Sequence, residues 1–139
     1  MKAVIDASVV GASLLVDEPY SDNALKVITK FLSNDLELIT TSLLKYEVTS
    51  LISKALMTDR IKEKDAYDAL ARFEMFNFPE VDVPLGEILK LARSWGRSTY
   101  DAAYMALAQI QQAPLITADK RLFNALKGKF QWLKWVEEP

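Results

Sequence analysis

Ala3-Val4-Ile5-Asp6-Ala7-Ser8 (residues 3–8) is a short apolar, β-branched run that meets an acid and passes at once into Val9 to Val16, a stretch of small and apolar residues. It reads as a buried strand feeding directly into a short helix. A near-continuous apolar strand followed by a helix is the pattern of a parallel sheet covered on both faces, not of a half-exposed antiparallel one. The rest of the chain repeats the pattern. Ala24, Leu25, Val27, Ile28, Phe31 and Leu32 recur at helical spacing, Leu36 to Thr40 reads as a second strand, and Thr41-Ser42 stands where a helix running to about Met57 would be capped. Ala66, Leu70, Phe73 and Phe76 carry the next helix to a stop at Pro79, so two consecutive helices form a hairpin.

Further along, Val81-Asp82-Val83-Pro84 reads as a short strand, and Ile88 to Trp95 as a helix closed by Gly96. An alanine-rich helix follows Ser98-Thr99 and runs to about Gln112. Pro114 to Thr117 is the next strand, Lys120 to Lys127 a helix, and Trp132 to Val136 a last strand. The expected fold class is therefore α/β, with a mostly parallel sheet between helices. The 139 residues, half of them apolar, suit one domain spanning 1–139 with one core. The first residues meet an acid at once, which fits neither a secretion signal nor a membrane span. A soluble cytoplasmic protein is expected.

The chain has no histidine and no cysteine. That removes imidazole bases, thiolate nucleophiles, zinc sites and iron–sulfur clusters, and leaves carboxylates as the main chemical resource. Four of them, Asp6, Glu47, Asp101 and Asp119, stand where regular elements begin or end. Asp6 and Asp119 each follow a strand at its carboxyl end, where open α/β sheets place ligands. Each is equally explained as a helix cap. Asp101 closes Ser98-Thr99-Tyr100-Asp101, the spacing of a capping box. Glu47 resists such an explanation: at about 100° per residue, Leu43 and Leu51 lie roughly 40° to either side of it. Its carboxylate sits at the edge of an apolar stripe, where it either pairs with Lys45 or Lys54, reaches solvent, or serves a site.

If the strand and helix ends converge, so do the acids. Two carboxylates about 5 Å apart repel by roughly 3 kcal/mol at an effective dielectric near 20, so such a cluster takes up protons or a cation. Magnesium or manganese, with oxygen ligands and retained waters, fits better than calcium. Thr117 and Ser8 are neighbouring hydroxyls. A net charge of −2 does not advertise nucleic acid, but Lys45, Arg97, Lys120 and Arg121 fall near the acids and are candidates for a phosphate backbone. An aspartyl-nucleophile phosphatase would need a second acid two residues after Asp6, where Ser8 stands.

Val4-Ile5-Asp6-Ala7-Ser8, Glu47 after the second strand, Thr99-Tyr100-Asp101-Ala102 and Leu115-Ile116-Thr117-Ala118-Asp119-Lys120-Arg121-Leu122, in this order, resemble the PIN-domain family, and within it the VapC-like toxins of toxin–antitoxin pairs. The resemblance covers essentially the whole chain. It implies a three-layer α/β/α sandwich around a parallel sheet of four or five strands, and a Mg2+- or Mn2+-dependent endoribonuclease. It implies Asp6, Glu47, Asp101 and Asp119 as the catalytic metal site, with Thr117 as an accessory residue. It also implies a homodimer held in check by a cognate antitoxin. The alternatives are a PIN nuclease of RNA processing or decay, or a non-catalytic module that binds RNA or protein.

Overall fold

The computed structural model describes residues 1–138. In chain order the elements are β1 (Lys2–Ile5), α1 (Ala7–Leu14), α2 (Ser21–Leu32), β2 (Glu37–Ile39), α3 (Leu44–Met57), α4 (Glu63–Phe76), α5 (Leu85–Trp95), α6 (Thr99–Gln111), β3 (Leu115–Thr117), α7 (Lys120–Leu126) and β4 (Leu133–Trp135). The four strands form one parallel sheet in the order β2-β1-β3-β4. Val4 stands opposite both Ile39 and Leu115, so β1 is central, and Ala3, Val4 and Ile5 are fully buried as the apolar run requires.

Helices flank the sheet, giving the expected α/β/α sandwich. Helix α6 packs on β1, β3 and α5, and its residues Ala102 to Ala108 are all buried. The alanines let it lie close to the strands. Helix α1 packs on α2, α3, α4 and β3. Gly11 faces α3 closely enough that a Cβ there would meet Leu51 Cδ1, the end of a flexible side chain, at 2.9 Å. No helix among the described residues is long and apolar enough to cross a membrane.

The expected strand at Val81–Pro84 does not form. Thr40 and Glu80 make a single bridge, with the Thr40 N–H donating to the Pro79 carbonyl at 3.0 Å and the Val81 N–H to the Thr40 carbonyl at 2.8 Å. Pro79 has no N–H with which to extend the pairing backward, and just past Thr40 the partner chain turns into α3 at Leu44, so pairing at this edge of the sheet stops after one bridge. Four strands remain.

Parallel pairing puts the carboxyl ends of all four strands on one edge. From β1 the chain crosses to β2 on one side, then returns past β1 to β3 on the other. The β1/β3 boundary is thus the point where the winding reverses, and a crevice opens there in folds of this kind. Asp6 follows β1 at that boundary, and Asp119 lies two residues beyond β3.

Candidate active site

Asp6, Glu47, Asp101 and Asp119 line one pocket of about 350 Å³, together with Ser8, Ser50, Leu51 and Tyr104. Four separate elements deliver the acids. Asp6 precedes α1, Asp119 precedes α7, and Glu47 and Asp101 lie in the first turns of α3 and α6.

Asp6 is 5% exposed and is at once a cap and a site residue. Its Oδ1 accepts the Ser8 N–H at 3.1 Å, the Val9 N–H at 3.3 Å and the Ser8 hydroxyl at 2.6 Å. All three bonds end on one oxygen, which leaves Oδ2 outside the cap. Asp119 does the same: its Oδ1 accepts from the Arg121 and Leu122 N–H groups at 3.0 and 3.2 Å. Capping and a second task are compatible because a carboxylate has two oxygens.

Ser8 ties these two acids together. Its one proton goes to Asp6, so its lone pairs accept from the Ala118 N–H at 2.8 Å and from the Thr117 hydroxyl at 3.2 Å. Thr117, fully buried, accepts in turn from the Asp119 N–H at 3.0 Å. The result is a directed chain from the Asp119 backbone through Thr117 and Ser8 to the Asp6 carboxylate, each bond polarising the next. Burial pushes Asp6 up to about 6, opposed by the Ser8 and Thr117 hydroxyls and the Val9 N–H and reinforced by the charge of Asp119.

Glu47 pairs with neither Lys45 nor Lys54. The Tyr104 hydroxyl donates to its Oε1 at 2.6 Å. Half-burial raises the Glu47 carboxyl, the Tyr104 bond opposes that rise, and the charge of Asp101 adds to it. Burial first, and Glu47 second, hold the Tyr104 hydroxyl protonated, so it remains a donor. Sequence reasoning missed Tyr104. Its signal was there, since it lies three residues after Asp101 and therefore on the same face of α6.

Only half of the expected capping box forms around Asp101. Ser98 Oγ accepts the Asp101 N–H at 3.1 Å, but the Asp101 carboxylate turns to Arg97, whose Nη2 stands 3.0 Å from Oδ2. Arg97 thus lies at the site and screens one of its acids. Lys45 does not reach it: it pairs with Glu80 at 3.6 Å and lines a different pocket between α3 and α4. Lys120 and Arg121 are exposed at the start of α7, just beyond Asp119.

The donor set is hard oxygen throughout, which suits Mg2+ or Mn2+. Among the described residues no three acidic side chains stand close enough to hold one cation directly. Each acid instead has a protein partner: Ser8, Tyr104, Arg97 or a helix N-terminus. A magnesium ion that keeps several waters needs only one or two carboxylates in direct contact, so the pocket fits such an ion better than one demanding an all-protein cage.

The chain matches known proteins along most of its length. The model of the family described as PIN domain matches residues 3–129. Ribonuclease VapC3 of Pyrobaculum aerophilum is 35% identical over 127 residues, covering 88% of this chain and 92% of that protein. A crystal structure of PAE2754, also from Pyrobaculum aerophilum, superimposes with a TM-score of 0.72 at 24% identity, covering 99% of this chain and 90% of the other, which is a likeness of fold. With the family pattern spanning most of its length and the four acids of the sequence gathered at the sheet's reversal point, the chain belongs to the PIN-domain family.

Proposed function

We propose that this chain is a Mg2+- or Mn2+-dependent endoribonuclease that hydrolyses RNA phosphodiester bonds, acting as the toxin of a type II toxin–antitoxin pair. One observation carries the reading: four acids from four elements line one pocket at the carboxyl edge of the sheet. The similarity to a protein named ribonuclease VapC3 supports RNA as the substrate and a cognate antitoxin as the partner. Homodimerisation and residence in the cytoplasm belong to the same proposal, as does a single nuclease domain over residues 1–139.

Asp6, Glu47, Asp101 and Asp119 would hold the metal. When bound, magnesium or manganese supplies Lewis acidity, acidifying water and neutralising charge on the scissile phosphate, the work a histidine base would otherwise do. The chain's own groups position the acids. The Ser8–Thr117 chain orients Asp6, Tyr104 orients Glu47, and Arg97 offsets the charge of Asp101 until substrate arrives. Arg97, Lys120 and Arg121 offer cations to the RNA backbone, where such contacts set register and not sequence.

The missing three-acid cluster favours one rival, a PIN-like module that binds RNA without cutting it. Cleavage decides between them. Purified protein freed of antitoxin should cut labelled RNA with Mg2+ and stop with EDTA. Intact RNA across structured and single-stranded substrates, with either metal, would sink the nuclease.

Tyr104→Phe should raise the Mg2+ concentration for half-maximal cleavage by about tenfold, the lower end for loss of a group that orients a ligand. Calorimetric Mn2+ titration should show the same weakening. An unchanged metal requirement would mean that Tyr104 only fills the core.

A further inference from the structure

Beside the acidic pocket lies a smaller one of about 240 Å³, and Ser8 and Leu51 line both. Its floor is Gly11 and Ala12 of helix α1 and Leu15, which caps the helix end, presenting backbone and apolar carbon. Tyr20 and Lys120 stand at its sides, and Trp135 holds both. The Tyr20 ring meets Trp135 edge to face with centroids 4.9 Å apart, and Lys120 Nζ lies 5.0 Å from the Trp135 ring centre. Tyr20 thus brings an aromatic ring and Lys120 a cation to the pocket wall.

Tyr20 is also strained. Its φ of 67° is left-handed, a conformation that bulky residues avoid and that persists where surroundings impose it, often at ligand sites. The one acid on the wall, Glu18, is taken by Arg60 at 2.9 Å. Lys120 has no carboxylate partner among the described residues.

We propose that this pocket binds one unpaired nucleobase of the RNA strand, next to the phosphate that faces the acids, with Lys120 on an adjoining backbone phosphate. The inference rests on the nuclease reading above and names where that enzyme grips its substrate. Size and chemistry select the occupant. The volume is below the 300 Å³ or so at which pockets take whole small molecules, so it suits a single ring system. Single-stranded RNA is held by splaying bases onto aromatic side chains beside cations that track the backbone. Continuity through Ser8 and Leu51 brings a base here within reach of a phosphate in the acidic pocket, since Lys120 directly follows Asp119.

The test uses the 15N-labelled protein without metal, titrated with AMP, CMP, GMP, UMP and ribose 5-phosphate. At least one nucleotide should shift the amide resonances of Ala12, Leu15 and Tyr20, while ribose 5-phosphate leaves them in place. Tyr20→Gly should weaken that nucleotide about tenfold, within the range for loss of one stacked base. Glycine accepts the left-handed backbone without strain, so this variant should fold. Lys120→Ala, at an exposed position, should weaken nucleotides and leave the response to free nucleosides unchanged. Undisturbed amides at millimolar nucleotide, or equal shifts with ribose 5-phosphate, would overturn the proposal. A protein that cuts RNA without these shifts overturns the pocket alone, and one that shows the shifts but cuts no RNA overturns the nuclease alone.

Discussion

Asp6→Asn, measured in EDTA at pH 7, should stabilise the fold by up to about 3 kcal/mol while abolishing metal-dependent RNA cleavage. The Asp6 carboxyl titrates at about 6 in the folded chain against 3.8 as its ordinary value, chiefly because burial disfavours the charge. Roughly two pH units at 1.36 kcal/mol each give that figure. The sign follows from proton binding. Between pH 4 and 6 the folded chain holds a proton that the unfolded chain has lost, so stability falls as pH rises through this window and stays low above it. Asparagine retains an oxygen for the Ser8 and Val9 N–H groups, so the cap survives and the charge is gone. Denaturation from pH 4 to 7 should show a falling contribution in the native protein that the variant lacks. An unstable variant at pH 7 would show that the Asp6 charge supports the fold instead of straining it. Mg2+ should restore stability to the native protein only, because a cation offsets the same charge.

Ser8→Ala is expected to cost about 1–3 kcal/mol of stability, the range for stranding buried polar groups, and to lower cleavage 10–100-fold, as removal of a group that orients a metal-site carboxylate does. The Ala118 N–H and the Thr117 hydroxyl would both lose their acceptor, and Asp6 its 2.6 Å donor. Since that donor holds the carboxyl down, Asp6 would titrate higher still and require more metal at a given pH. Thermal denaturation and cleavage over a metal series test the two effects separately. An equal loss of thermal stability in the native and Asp6→Asn backgrounds would show that Ser8 acts on the fold and not through Asp6.

The order of strands and helices could be read from the chain because periodicity and capping are local. Ala3 to Ile5 are apolar in succession, so they lie inside a sheet. The strand read at Val81–Pro84 fails because its partner chain leaves the sheet for α3 just past Thr40, which a side-chain pattern local to Val81–Pro84 does not record. The choice between cap and site was posed as an alternative for Asp6 and Asp119. The structure gives Oδ1 to the cap in both, a division between two oxygens that residue identity cannot express. For Glu47, helical angles located an acid beside an apolar face without naming its partner. Tyr104 is 57 residues away and reaches it only once α3 and α6 are brought to the same pocket.

By itself the sequence determined the chemistry on offer: oxygen ligands, no imidazole or thiol, and acids at the ends of elements, because composition and short-range spacing decide these. Only the tertiary structure decided that the acids meet. Placing β1 beside β3 joins Ser8 to Thr117 across 109 residues. The physical reason is that strand order depends on how apolar faces pack over long separations, and no local pattern records which strand lies next to which.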